Sequence, residues 1–271
     1  MEYIVSSAIQ NTHKGRLGYL LHLRLRFCRR MPIVMGRQRG FNLIEIALAL
    51  VILTLLLGSV LVPINTQVQQ RKFTDTQKTL DDVTDALIGY AMVNGRLPRP
   101  ATLYNNGVEN ATSTLCTAGT TAVNEANCTG FIPWTTIGSA KSDSWGYLIR
   151  YSVTPAFSTN TPFTTSTVGT KIIQERTTAG VLANSATQVA FVVWSNGAEN
   201  FGTTDSNTTR VNNSTGTTNV DEITNNSATV TFIKRPFGDN TGATGGEFDD
   251  IVNFVPQGTL IYKVVQAGKL P

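Results

Sequence analysis

The sequence predicts an α+β protein in which one long amino-terminal helix packs on a head built around an antiparallel β-sheet. Three observations carry that expectation. An almost unbroken apolar run extends from Ile46 to Ile64. Beyond it, Phe73, Leu80, Val83, Leu87 and Tyr90 recur at intervals of seven, three, four and three, the period of one helix face. After Pro100, short segments rich in aromatic and β-branched residues alternate with Gly, Asn and Ser clusters, the pattern of strands and turns.

Crossing the hydrocarbon core of a bilayer takes about 20 apolar helical residues, so residues 41–64 are expected to form a transmembrane helix. Glu45 stands a few positions inside that helix, where an unpaired charge costs about 2.5–3.5 kcal/mol on insertion scales. It needs a partner. Arginines such as Arg37 and Arg39 precede the run and bias that side toward the cytoplasm, which places everything after Pro63 outside.

The stretch Arg37-Gln38-Arg39-Gly40-Phe41-Asn42-Leu43-Ile44-Glu45 joins basic residues, a glycine, a phenylalanine and a fifth-position glutamate in fixed order. It resembles the type IV pilin and type II secretion pseudopilin superfamily. The resemblance implies that a prepilin peptidase cuts after Gly40 and methylates the new amino terminus at Phe41. It also implies that Glu45 meets the amino terminus of a neighbouring subunit during filament assembly, which supplies the missing partner. Residues 1–40 are then a basic prepilin leader. The piece from Met35 to Gly40 alone has the short basic form the family prefers, which puts the translation start at Met35 or Met31.

Residues 65–95 read as an amphipathic continuation of the helix, kinked at Pro63, where a backbone donor is missing. Asn94-Gly95 ends it, because Gly95 suits a left-handed cap and Pro98 and Pro100 forbid continuation. Gly95-Arg96-Leu97-Pro98 resembles pilin-like proteins at this junction, and residues 96–271 form the expected periplasmic head.

Within the head, Cys116 and Cys128 are the cysteines that follow the leader, Cys28 lying within it. An even pair outside the cytoplasm reads as a disulfide. A metal site is the rival, and it lacks histidines, since His13 and His22 both precede Gly40. Phe131–Trp134 and Asp143–Tyr151 open the sheet, and Lys171–Arg176, Gln188–Trp194 and Thr229–Lys234 add strands. Their alternation is partial, so the long helix is expected to cover one face. Val193-Trp194-Ser195-Asn196-Gly197 resembles pseudopilin-like domains, where a buried strand runs into a turn. Residues 202–227, dominated by Thr, Asn, Ser and Gly, read as a long surface loop.

Gly245-Gly246-Glu247-Phe248-Asp249-Asp250 is the cluster with chemical potential. Glu247, Asp249 and Asp250 offer hard oxygen ligands suited to calcium, which takes six to eight oxygens. The major pseudopilins carry a calcium loop near the carboxyl end, and this stretch is similar in position and acidity. The rival is that Asp249 or Asp250 caps a short helix through Ile251, Val252 and Phe254. The last segment, Gly258–Pro271, spaces Leu260, Ile261, Val264 and Val265 as a helix does, with a strand as the alternative.

No catalytic constellation is visible. Without histidine after Gly40 the common serine and cysteine triads lack a base, and no phosphate-binding or dinucleotide glycine loop occurs. The net charge of +4 is concentrated in residues 1–40, where eight basic side chains face Glu2 alone, so the remainder is net −3 and nucleic acid is not an expected partner. The expectation is a structural subunit of a type IV pilus or type II secretion pseudopilus, not an enzyme. It would sit in the bacterial inner membrane as a single-pass protein with a periplasmic head, and in a filament after assembly. Its partners would be the prepilin peptidase, other pilin-like subunits, the inner-membrane assembly platform and, before assembly, membrane lipid. The alternatives are a tip-located minor pilin for adhesion or DNA uptake, and a signal-anchored periplasmic domain outside any filament.

Overall fold

The computed structural model describes residues 40–101, 106–110, 116, 127–199, 219–227, 229–238 and 242–270, and for 59–65 the backbone alone. The expected leader, the start sites Met31 and Met35, and most of the 202–227 stretch lie outside the described residues. The chain divides into two compact units, Met1–Thr54 and Leu55–Pro271. The first is described as the opening turns of α1 (Leu43–Asn94), and the second holds the rest of α1 and the whole sheet.

The helix α1 stays helical through Pro63 and stops at Asn94, where Gly95 takes a φ of 69° and its amide donates to the Ala91 carbonyl at 2.8 Å. A left-handed backbone at that position suits a residue without Cβ. Among the described residues no helix is long and apolar enough to cross a membrane, which corrects the expected transmembrane segment and the single-pass placement built on it. Over the described side chains the shortfall is one of length. The described apolar side chains end at Gly58, and a helix from Leu43 to Gly58 rises about 24 Å, short of the roughly 30 Å of a hydrocarbon core.

The sheet has six strands: β1 (Thr129–Phe131), β2 (Arg150–Val153), β3 (Lys171–Arg176), β4 (Leu182–Ser195), β5 (Thr231–Ile233) and β6 (Ile251–Pro256). Their order is β1-β2-β4-β3-β5, with β6 also paired to β4. The sheet is mixed, because β3 and β5 run parallel while every other pairing is antiparallel. The expected antiparallel sheet is corrected at that one edge. A short helix α2 (Trp134–Ile137) follows β1, α3 (Val220–Asn226) precedes β5, and α4 (Gln257–Gln266) closes the chain after β6. The C-terminal segment is therefore the helix of the two alternatives.

Strand β4 organises the head. Its second half, Val189 to Ser195, is buried on both faces, so it reads as a continuous apolar run instead of an alternation. Phe191 and Val193 point to the α1 side with Tyr151 and Val153, against Leu80, Val83, Leu87 and Ala91 of the helix and Leu260 and Val264 of α4. Val192 and Trp194 point to the other side with Ile173, Phe232 and Val252. Two cores explain the partial alternation of the sequence. The first half of β4 is largely exposed and pairs with β3 alone.

Candidate functional site

Two regions carry the chemistry. The first is the start of α1. Gly40 and Phe41 precede the helix, Glu45 lies in its first turn, and the Glu45 amide donates to the Asn42 carbonyl at 2.9 Å. Glu45 is exposed, and every large apolar side chain from Phe41 to Leu57 is at least half exposed. A helix that is apolar all round belongs in a buried setting, and here nothing within the described chain covers it.

The second region is an acidic nexus in the head. Asp249 and Asp250 form the lead-in to β6, which begins at Ile251, so the expected helix cap is replaced by a strand. Both carboxylates are buried, and a buried Glu222 from α3 joins them, with one oxygen from each residue lying within 4.8 Å of the others. Glu247, expected as a ligand, is not one of the three. Its backbone amide donates to Asn219 Oδ1 at 3.2 Å, and its carboxylate acts on Glu222 through charge.

The geometry around the three acids is tightly built. The turn after β4 wraps Asp249: the Glu199 amide donates to Asp249 Oδ2 at 3.0 Å. Gly197 sits there with φ 63°, and a Cβ on it would lie 2.3 Å from Asp249 Cγ, so glycine is required for the approach. The Asp249 amide donates to Glu222 Oε1 at 2.9 Å. Asp250 Oδ2 accepts from Asn225 Nδ2 at 2.7 Å, and Asn225 also donates to the Ile233 carbonyl and accepts from its amide at 2.6 Å. Asn225 thus docks α3 on β5 much as a strand residue would.

Two oxygens are left over. Asp249 Oδ1 and Asp250 Oδ1 are buried with no ordinary hydrogen-bond donor among the described residues, an arrangement that is costly when the acids are charged, and the Glu222 and Asp249 carboxyls can bond each other when one carries a proton. Burial pushes the Glu222 carboxyl up to about 8, and the neighbouring Asp249 and Glu247 charges push the same way. Burial likewise lifts Asp249 to about 6, against the backbone amides that favour its charged form. Asp250 is held well above the usual carboxylate range by burial and by the Glu222 charge. Three acids placed so close favour either protons or a cation between them.

Beside this nexus, Asp221 is fully buried between two arginines. Arg176 donates to it through Nε at 2.7 Å and Nη2 at 2.6 Å, and Arg235 Nε lies 3.1 Å away. A Cβ on Gly245 would strike Asp221 at 2.1 Å, so that glycine shapes the same wall.

Cys116 and Cys128 form the expected disulfide, with Cα atoms 4.9 Å apart. Sequence reasoning missed Glu222 and Asn225, which fell in the stretch read as surface loop. The usable signal was Val220-Asp221-Glu222-Ile223, two apolar residues three apart with acids between, but the helix turns its apolar side outward and its acids inward. Amphipathic reasoning assumes the opposite. No family model, curated protein or solved structure matches this chain.

Proposed function

We propose that the chain is a structural subunit of a pilin-like filament, cut after Gly40 by a prepilin peptidase and assembled through the start of α1. The observation that supports this reading best is the exposed apolar surface from Phe41 to Leu57 with a single carboxylate, Glu45, in it. Patches far smaller mark interaction sites on monomers. Equivalent helices of other pilin-like subunits are the partner whose chemistry fits both features: they supply apolar side chains for the leucines and isoleucines, and the freed amine of Phe41 for Glu45. The match of Arg37 to Glu45 with the prepilin cleavage motif agrees with it. The partners are then the peptidase, further subunits and the platform that assembles them, with the head in an oxidising compartment where the Cys116–Cys128 bond persists.

The test is Glu45→Ala in the native host. The variant should accumulate at normal levels yet disappear from the sheared filament fraction. Normal incorporation of Glu45→Ala would overturn the proposal.

We also propose that the head takes a calcium ion, held by Glu222, Asp249 and Asp250. The orphaned Asp249 Oδ1 and Asp250 Oδ1 support it, as does the donor set, since hard carboxylate oxygens suit calcium and disfavour softer metals.

A further inference from the structure

We propose that Asn106 is a self-modifying site, at which the Asn106-Gly107 peptide deamidates without an enzyme to aspartate and isoaspartate. The sequence holds three Asn-Gly pairs, Asn94-Gly95, Asn106-Gly107 and Asn196-Gly197. The fold arms the second and protects the other two.

In this reaction the Gly107 nitrogen gives its proton to hydroxide and attacks Asn106 Cγ. The N–Cγ bond forms, the Cγ–Nδ2 bond breaks, and Nδ2 takes a proton from water and leaves as ammonia, returning the hydroxide. Water then opens the succinimide at either carbonyl, with no change of oxidation state. The step needs an attacking amide that is not already bonded, an uncrowded nitrogen, and a donor for the charge that grows on Oδ1.

All three meet at Asn106. Its side chain is exposed, and among the described residues the Gly107 amide donates to no acceptor. Gly107 has a φ of 57°, and a Cβ on it would lie 2.1 Å from Trp134 Cε2, so the position admits only glycine and leaves the nitrogen uncrowded. The Val108 amide donates to Asn106 Oδ1 at 3.2 Å. That bond folds the side chain back over its own peptide and puts a donor on the oxygen where negative charge develops. The other pairs lack this set. The Gly95 amide donates to the Ala91 carbonyl at 2.8 Å, and Asn94 Nδ2 to the Tyr90 carbonyl at 2.9 Å. The Gly197 amide donates to Ser195 Oγ at 3.1 Å, and Asn196 is only 1% exposed.

The products act on α2. The Asn106 carbonyl accepts from Thr135 Oγ1 at 2.6 Å and the Gly107 carbonyl from the Thr135 amide at 3.0 Å, while the Glu109 amide donates to Thr136 Oγ1 at 2.8 Å. Isoaspartate puts an extra methylene into the backbone just before Gly107, so the segment no longer matches the spacing of these bonds.

Timed incubation of the full chain in mild detergent at mildly alkaline pH tests this, with peptide mass mapping to count amide-to-acid conversion and isoaspartyl methyltransferase labelling to find the isoaspartate. Asn106 should convert at least about tenfold faster than Asn94 or Asn196, because a bonded amide must first be freed and the Oδ1 donor is missing there. Concentrated urea removes those differences, so in the unfolded chain the three rates should become equal. In Asn106→Gln, whose longer side chain closes the ring poorly, conversion at position 106 should vanish. Equal rates at the three pairs in the native chain overturn the proposal. A lead for Asn106 that persists undiminished in urea overturns it too, because the cause would then lie in the local sequence and not in the fold.

Discussion

Asp221→Asn is the substitution whose cost the structure fixes most directly. The carboxylate is fully buried and receives three guanidinium contacts, at 2.7, 2.6 and 3.1 Å, from Arg176 and Arg235. Asparagine fits the same space but removes the charge and one acceptor. Arg176 keeps its bond to the Gly180 carbonyl and Arg235 its bond to Gly246, yet the two partly buried guanidiniums then lose the anion they share. Breaking a buried pair from one side costs about 3–5 kcal/mol. Arg235 is already disfavoured as a cation by burial and by the Arg176 charge, with Asp221 opposing both and Glu222 and Asp250 adding to that opposition, so a loss within that range is expected. For a head of this size about 4 kcal/mol lowers Tm by roughly 8–16 °C. The assay is thermal unfolding followed by near-ultraviolet circular dichroism, compared with Arg235→Met and with the double variant. The double variant should recover part of the loss, since the second cation is gone. A single variant within about 1 kcal/mol of wild type would refute the reasoning, and so would a double variant that is strictly additive.

Two further predictions follow from the head. In EDTA, the raised Glu222 and Asp249 carboxyls mean that the folded state holds protons the unfolded chain has released. Stability is therefore highest below about pH 4 and falls as pH rises, through about 6 for Asp249 and about 8 for Glu222. Melts from pH 5 to 8 should show Tm declining in EDTA and levelling when calcium is added; a Tm that rises with pH in EDTA contradicts the assignment. Reduction of Cys116–Cys128, or the paired change to serine, should cost about 3 kcal/mol by the chain-entropy model for a loop of this length. Urea midpoints under oxidising and reducing conditions measure it, and coincident curves would contradict the prediction.

Much of the head was legible from the residues, because its signals are local. Lys171–Arg176 is alternating enough to be read as a strand, Gly95 and the following prolines mark a helix end, and Leu80, Val83 and Leu87 show one helical face. The transmembrane reading was lost because it rested on an apolar run whose described part falls short of a bilayer. The parallel β3–β5 edge was invisible, since pairing direction depends on the path of the chain between Ser195 and Thr231. The acidic nexus was half legible. Asp249-Asp250 stood out beside their glycines, whereas Glu222 comes from α3, nearly thirty residues earlier, and reaches them only through folding. Glu247 was the wrong neighbour to choose: it stands next but one to Asp249 in sequence and its charge is felt by Glu222, yet the three acids that come together are Glu222, Asp249 and Asp250.

The central claim is that this chain becomes a filament subunit by cleavage after Gly40, and the most direct measurement is its amino terminus in the native host. Intact mass and amino-terminal sequencing, with and without the prepilin peptidase, read it. The account predicts a chain beginning at methylated Phe41 only when the peptidase is present. A chain that retains Gly40 and its upstream residues under both conditions would contradict it, and the role assigned to Glu45 would fall with it.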